Sequence, residues 1–218
     1  MLRTLSNGRL NGGRSISGRL HRSRYHGRGD GADTRQGRYV LVWNRTRAKA
    51  KILAVAGADV ALESADVFAH CATVFLMLVD RRAMDTVLDR GGAAFADRVT
   101  GRTIVHMGTT SPAYSRELEA DIRCVGGNYV EAPVSGSRKP AEAGQLVAML
   151  AGDADAIANG RPLLTPMCRK TMIYGPVPNA LLMKLSINLF LISLVTASPK
   201  PCILPTATAS TLINLWQF

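Results

Sequence analysis

Lys184 and Asn188 interrupt the most apolar stretch of the chain, the segment from Leu181 to Val195. Lys184 and Asn188 are four residues apart, so on a helix they lie on the same face. A lone lysine in such a helix can extend its ammonium group to water. A partly buried ammonium group beside a cleft can instead give a proton to a reacting group. The second polar residue one turn away favours the interpretation of Lys184 as a proton donor.

A loop rich in small residues is the second candidate, within the segment EAPVSGSRKPAEAGQ at 131–145. It follows the apolar pair Tyr129–Val130 and places Ser135, Gly136 and Ser137 in a row. A plain surface turn needs one glycine or proline rather than this spread. The pattern therefore indicates a strand end that opens into a loop whose backbone closely approaches another group.

Apolar segments alternate with helical patterns along the chain. Such segments, bounded by turns and separated by helices, are typical of a parallel sheet covered on both faces. The predicted fold class is therefore α/β, a doubly wound, Rossmann-like parallel sheet. The predicted strands are YVLVWN (39–44), ADVA (58–61), TVFLML (73–78), TIVHM (103–107), NYVEAP (128–133) and QLVAMLAG (145–152).

The loops that follow these strands are the expected place for a ligand. Sheets of this kind bind ligands at the carboxyl ends of their strands. Residues 44–46, 77–80, 108–111 and 133–137 should therefore share one crevice. Predicted helix starts fix the other ends of these loops, with N-caps at Ser64, Asp80, Ser111 and Asp153.

The basic charge of the chain is concentrated at its start. The formal net charge is +11, and residues 1–38 supply +7 of it with nine arginines against two aspartates. Tyr25 is the one aromatic residue there, which does not favour nucleic-acid binding. Residues 1–29 have the composition of a mitochondrial transit peptide, but their glycines oppose the amphipathic helix that such peptides form. A poorly ordered leader on a cytoplasmic protein is the favoured interpretation.

Several other kinds of site are not expected. The four cysteines are far apart, which favours reduced, buried thiols, and the four histidines form no metal-binding pair. No metal is therefore expected. The apolar stretch 181–195 is interrupted by polar residues and too short to cross a bilayer, so no membrane partner is expected either.

Taken together, the motifs resemble the β-hydroxyacid dehydrogenase family, which includes 3-hydroxyisobutyrate dehydrogenases and glyoxylate or succinic semialdehyde reductases. The resemblance implies an NAD(P)-binding Rossmann-like domain, a long interdomain helix and homo-oligomers. It also implies hydride transfer between NADPH and a small aldehyde or hydroxy acid that bears a carboxylate. The segments that carry it are VWNRT (42–46), VFLMLVD (74–80), TTSPAYSREL (109–118), YVEAPVSGSRKPAEAGQLVAMLAGD (129–153) and GPVPNALLMKLSIN (175–188).

The resemblance also implies roles for the substrate-site residues. Ser135 and Gly136 match the substrate-binding loop, whose backbone amides would hold the substrate carboxylate. Lys184 matches the catalytic lysine, which would give a proton to the carbonyl oxygen as hydride arrives. Asn188 would orient the substrate or Lys184.

A nicotinamide cofactor is implied by a further set of matches. Met77, Leu78 and Thr109 match cofactor contacts. The segment Asn44–Thr46 occupies the place where an acidic residue binds the ribose hydroxyl groups in NAD enzymes. Arg45 can accept the 2′-phosphate instead, so NADP is the expected cofactor and NAD the alternative.

The start of the chain departs from the family pattern. The family begins with a strand and a G-x-G-x-x-G turn that cradles the pyrophosphate. Gly27, Gly29 and Ala32 fit this pattern only weakly, and no apolar run of strand length precedes Gly37. The sheet is therefore expected to lack its first strand and to bind NADPH weakly, with residues 1–38 forming the leader.

The end of the chain departs as well, because Pro199, Pro201 and Pro205 interrupt the place where the family continues into an all-helical domain. That domain is expected to be missing. Two interpretations stay open: an NADP-dependent reductase and a non-catalytic, truncated remnant of one. The expected division is 1–38 leader, 39–177 NAD(P)-binding domain, 178–197 interdomain helix and 198–218 a tail unlike the family.

Overall fold

The computed structural model describes residues 2–6, 39–55 and 57–197, which form a sheet with helices on both faces. The strands are β1 (Leu2–Ser6), β2 (Tyr39–Trp43), β3 (Asp59–Val60), β4 (Thr73–Leu76), β5 (Thr103–His106), β6 (Asn128–Glu131), β7 (Val134–Ser135), β8 (Leu146–Gly152) and β9 (Cys168–Ile173). The helices are α1 (Arg47–Ala54), α2 (Ser64–His70), α3 (Arg81–Leu88), α4 (Phe95–Val99), α5 (Pro112–Cys124), α6 (Arg138–Glu142), α7 (Ala154–Leu164) and α8 (Asn179–Ala197).

The sheet is mixed, with four parallel and four antiparallel strand pairings among the described residues. The strand order is β3-β2-β1-β4-β5-β6-β8-β7, with β9 beside β8. β2 pairs with β3, β4 pairs with β5, and β5 pairs with β6, and all three pairings are parallel. These pairings confirm a Rossmann-like α/β fold. The expectation that every strand is parallel was wrong for β8, which runs antiparallel to β6 and β7. Strand direction depends on pairing between distant segments, which the sequence of a single strand does not specify.

β1 corrects the expectation that the sheet lacks a strand between β2 and β4. It pairs with both neighbours in antiparallel fashion, with Leu2 opposite both Trp43 and Leu76 and with Ser6 opposite Tyr39. This segment has no continuous apolar run, but the two flanking strands provide hydrogen-bond partners for its backbone.

The direction of β1 has a consequence for the cofactor site. Because β1 runs against β2 and β4, its carboxyl end at Ser6 lies at the opposite edge from theirs. The carboxyl end of β1 therefore lies away from the expected crevice. The weak glycine pattern at Gly27, Gly29 and Ala32, the rest of the leader and the tail 198–218 lie outside the described residues.

Alternate residues of the central strands pack on opposite faces of the sheet. Leu76 and Ile104 belong to the core under α2, α3 and α5. Val105 and Val130 belong to the core under α7. Because helices cover both faces, the strands need apolar residues at successive positions, which explains the apolar segments in the sequence.

Local capping interactions fix where several helices begin. Ser64 was wrongly predicted as a cap, because α2 begins at that residue and Glu63 forms a reciprocal capping box with Asp66. α4, α6, β7 and β9 were not predicted. The predicted N-caps that accept hydrogen bonds from the first turn are Asp80, Ser111 and Asp153.

α8 is mostly apolar and mostly exposed within the described chain. Its segment Asn179–Thr196 has a mean hydropathy of 1.6 and is 11% buried. By length and composition alone this helix could cross a membrane, so the expectation that the stretch is too short was wrong: the helix extends beyond 181–195 at both ends. A helix covered by further protein has the same properties.

Candidate active site

The carboxyl ends of four strands lie level along one edge of the sheet. Leu2 stands opposite both Trp43 and Leu76, Leu76 opposite His106, and His106 opposite Glu131. Trp43, Leu76, His106 and Glu131 are the last residues of β2, β4, β5 and β6. The loops after them therefore leave from the same edge, which is where a shared crevice was predicted.

Gly108 allows the loops after β4 and β5 to approach each other closely. A Cβ atom at this position would lie 2.9 Å from the Leu78 carbonyl oxygen and 3.1 Å from His106 Nε2. Thr109 and Met77 are exposed and Leu78 is half-buried. The two segments predicted to contact the cofactor are thus neighbours.

The turn after β2 is held by its own side chain. Asn44 Oδ1 accepts a hydrogen bond of 2.8 Å from the Thr46 amide. Arg45, between them, is exposed. The turn therefore presents a guanidinium group at the strand-end edge, and the segment from 44 to 46 contains no acidic residue that would repel a phosphate.

Gly136 determines the shape of the loop after β6. Its φ is 133°, and a Cβ atom there would lie 2.7 Å from Leu146 Cδ2 and 3.3 Å from Pro140 Cβ. Any other residue would be both strained and crowded. Ser135 is half-buried and pairs with Val147 of β8. The close approach predicted for this backbone is, within the described chain, an approach to Leu146.

The amino end of α8 is joined to the end of β6. The Leu181 amide donates a hydrogen bond of 3.2 Å to Glu131 Oε2. Lys184 follows within one turn, about 4.5 Å along the helix axis, and is half-buried. Burial lowers the pKa of its ammonium group, which makes proton release easier. Asn188, also half-buried, lies one turn further on.

Sequence reasoning missed a buried polar network behind this edge. His106 Nδ1 lies 2.7 Å from the Tyr129 hydroxyl oxygen, and Ser115 Oγ lies 2.8 Å from the same oxygen. The Ser115 hydroxyl donates to Glu131 Oε1 at 2.5 Å. The available signal was a charged or polar residue at the end of an otherwise apolar strand, His106 in TIVHM and Glu131 in NYVEAP.

Burial shifts the titration of the groups in this network. It lowers the pKa of His106 to about 4, so the imidazole is neutral near neutral pH. It raises the pKa of Tyr129 well above its usual value. It also raises the pKa of Glu131, while hydrogen bonds from Ser115 and from the backbone of α8 lower it.

Two cavities of the described chain lie away from the strand-end edge. One of about 280 Å³ is lined by residues such as His70 and Arg102, before the amino ends of β4 and β5. Another of about 550 Å³ lies between α7 and β9 and includes Arg161 and Cys168. Neither is lined by a predicted site residue, so the strand ends and their loops define the candidate site.

The comparison with known families agrees with this architecture. Residues 32–175 match the family described as the NAD binding domain of 6-phosphogluconate dehydrogenase. Glyoxylate/succinic semialdehyde reductase 1 of Arabidopsis thaliana is 34% identical over 166 residues, which cover 76% of this chain and 57% of that protein. The chain belongs to the β-hydroxyacid dehydrogenase family. A nicotinamide dinucleotide is the cofactor that its family domain implies.

Other members of the family share the same part of the chain. Chloroplastic glyoxylate/succinic semialdehyde reductase 2 of Arabidopsis thaliana is 36% identical over 159 residues, 72% of this chain and 44% of that protein. The solved structure of Mycobacterium tuberculosis 3-hydroxyisobutyrate dehydrogenase shares the fold with a TM-score of 0.63 at 24% identity, over 68% of this chain and 50% of that one. The chain thus spans about half the length of these relatives.

The described residues fit a nicotinamide dinucleotide only in part. The loops after β2, β4 and β5 leave from one edge, and Gly108 keeps two of them in contact without a side chain between them. The described residues provide no comparable cradle for the pyrophosphate there, and the carboxyl end of β1 faces the opposite edge. Among the described residues, the loops expected at the two ends of the cofactor thus share one edge, and the carboxyl end of β1 lies at the other.

Proposed function

We propose that the strand-end crevice is the site of a carbonyl reduction, in which a small aldehyde that bears a carboxylate is reduced with NADPH. The observation that carries this proposal is the hydrogen bond from the Leu181 amide to Glu131. It anchors the first turn of α8, and with it Lys184, to the strand that leads into Ser135 and Gly136. The candidate proton donor and the candidate anion-binding loop are thus attached to one strand end.

The substrate carboxylate is proposed to bind the backbone of the loop at Ser135 and Gly136. Successive backbone N–H groups in such a loop form a concave site for an anion. Gly136 has no side chain and is exposed, so a ligand can approach its amide. The family membership of the chain supports the same assignment.

Lys184 is proposed to give the proton. The cofactor supplies a hydride to the carbonyl carbon when bound, and negative charge then develops on the carbonyl oxygen. The Lys184 ammonium group stabilises this charge and transfers its proton to the oxygen. The lowered pKa of Lys184 favours this transfer. Asn188, on the same helix face, orients the substrate or the ammonium group.

NADP is the proposed cofactor rather than NAD. Arg45 is exposed in the turn after β2, where a 2′-phosphate would lie, and no acidic residue occupies that turn. Met77 and Leu78 after β4, and Thr109 after β5, would contact the nicotinamide half. The support for these proposed contacts is that the loops leave from one edge of the sheet and that their residues match the family pattern.

A second candidate function is a folded domain without turnover. The observation that favours it is the direction of β1, which removes the usual start of the pyrophosphate cradle from the crevice. In this case Lys184 and the Ser135 loop would be present but the cofactor would bind too weakly for catalysis.

The two candidates are separated by aldehyde reduction assays with succinic semialdehyde and glyoxylate. The parent chain is compared with a chimera in which the family's first strand and glycine turn replace residues 1–38 and the helical half of the Arabidopsis reductase follows residue 197. We expect reduction in the chimera, which would support the proposed site; reduction by the parent chain would favour the first candidate, and its absence from the parent chain would favour the second. An inactive chimera that still binds NADPH would contradict the proposed site.

Within the chimera, Lys184→Met should lower turnover by about a hundredfold or more while leaving NADPH affinity within a few-fold. Lys170→Met, at an exposed lysine of β9, is the matched control and should leave turnover unchanged. If the Lys184→Met enzyme turned over within a few-fold of its parent, Lys184 would not be the proton donor.

A further inference from the structure

Four buried side chains connect the start of α8 with the end of β5. They are His106, Tyr129, Ser115 and Glu131, and each lies within 2.8 Å of the next. His106, Ser115 and Glu131 are each 1% exposed or less. The last member also accepts the hydrogen bond of the Leu181 amide. The network therefore joins the helix of Lys184 to the strand end next to the Gly108 turn.

Counting protons fixes the direction of this chain of hydrogen bonds. The Glu131 carboxylate only accepts, so the single proton of the Ser115 hydroxyl points to it. Ser115 Oγ must then accept from the Tyr129 hydroxyl, whose single proton is used in that bond. The Tyr129 oxygen therefore accepts from His106. His106 must carry its proton on Nδ1, which leaves Nε2 as an unprotonated acceptor.

The same carboxylate holds the first turn of α8. One of its oxygens accepts from Ser115 and the other from Leu181. Charge-assisted hydrogen bonds of this kind are stronger than those between neutral groups. The buried carboxylate thus restrains the helix that carries Lys184. It also determines which groups donate and which accept in the network behind the crevice.

We propose that Glu131 is a positioning residue: it fixes the amino end of α8, and hence Lys184, and through Ser115 and Tyr129 it sets the tautomer of His106. The significance of placing Lys184 rests on the proposed function. The tautomer and the helix restraint do not, so they can be tested in the full chain without any turnover.

The first test is nitrogen NMR of the parent chain labelled with ¹⁵N-histidine, with the His106 signals assigned by His106→Gln. We expect the Nδ1 resonance of a protonated nitrogen and the Nε2 resonance of an unprotonated one. The opposite pattern would overturn the proposed order of the hydrogen bonds without the need for any further variant.

The second test uses Glu131→Gln. The Leu181 amide is a donor, so the glutamine oxygen must face it and the NH₂ group must face Ser115. Ser115 then donates to Tyr129, and Tyr129 donates to Nδ1 of the imidazole. We expect His106 to change to the Nε2-protonated tautomer, which a loss of packing alone would not cause.

Amide hydrogen exchange reports the restraint on α8 in the same variant. A neutral oxygen is a weaker acceptor than a carboxylate, so exchange at Leu181 should become about fivefold faster. Glu117→Gln, at an exposed position of α5, is the matched control and should change neither readout. An equal acceleration across the whole sheet in Glu131→Gln would show general destabilisation and overturn the positioning role.

Ser115→Ala keeps the inference testable if Glu131→Gln does not fold. Without the serine, the Tyr129 hydroxyl loses its acceptor and turns to Nδ1 of His106, so the tautomer should change. Exchange at Leu181 should stay as in the parent because Glu131 still accepts from it. An unchanged tautomer would contradict the inference. If the full chain gave all the expected results but the chimera were catalytically inactive, the proposed function would be refuted and the positioning role of Glu131 would stand.

Discussion

Arg45 is the residue on which the choice of cofactor is proposed to depend. Arg45→Asp, in the chimera described above, should change the preference from NADPH toward NADH, because a carboxylate repels the 2′-phosphate and can accept from a ribose hydroxyl. The expected change in the ratio of the two kcat/KM values is about tenfold or more. Arg47→Asp, at the start of α1, is the matched control. An unchanged ratio in Arg45→Asp would exclude this role.

His106 should make the stability of the chain depend on pH. Its pKa is about 4 in the folded chain and 6.5 when unperturbed, so between these values the unfolded chain binds more protons. Stability should therefore fall as the pH is lowered from about 6.5 to 4, by up to about 3 kcal/mol from this residue.

The measurement for His106 is the urea midpoint of the parent and of His106→Gln across this pH range. Carboxylates such as Glu131 also titrate there, and the difference between the two chains removes most of their contribution. His70→Gln, at an exposed histidine, is the control, and its urea midpoint should depend on pH as that of the parent does. Parallel curves for the parent and His106→Gln would contradict the buried, neutral imidazole.

At the scale of elements, the loop between β6 and β8 depends on Gly136. Gly136→Ala should lower the free energy of unfolding by about 1–3 kcal/mol, because φ is 133° and the new Cβ would crowd Leu146. Gly160→Ala in α7 is the matched control, since a Cβ there would meet nothing closer than Val105 Cγ2 at 3.9 Å. Urea unfolding of both variants is the measurement, and equal midpoints would contradict the strained loop.

Elements set by local interactions were predictable from the sequence. Asp80, Ser111 and Asp153 cap their helices through hydrogen bonds to amides no more than three residues away. The apolar segments likewise predicted β2, β4, β5 and β6, because strands covered on both faces need such residues.

Elements set by distant contacts were not predictable in the same way. β1 forms from a segment without strand-like composition because β2 and β4 pair with it on both sides. The direction of β8 depends on its partners β6 and β7. The network at Glu131 depends on an amide fifty residues away. Sequence alone placed Glu131 in a motif but gave it no role.

At the scale of the whole molecule, the chain combines a family domain with an antiparallel strand at the centre of its sheet. Its residues match the NAD-binding domain of the family from 32 to 175, and the strand ends of that domain are level. The strand between β2 and β4 runs in the opposite direction, so its carboxyl end, where the family's glycine turn begins, lies away from the loops that follow β2, β4 and β5. Arginines of the segment 1–38 could attract phosphates, but salt screens such contacts.

Titration with NADPH at physiological salt tests this account most directly. The parent chain is compared with a variant in which the family's first strand and glycine turn replace residues 1–38. We expect a dissociation constant on the order of micromolar for the variant, the range of a preformed site, and weak, salt-sensitive binding for the parent. Saturable binding by the parent at the same affinity would contradict the account, because the antiparallel β1 would then not deprive the crevice of its cradle.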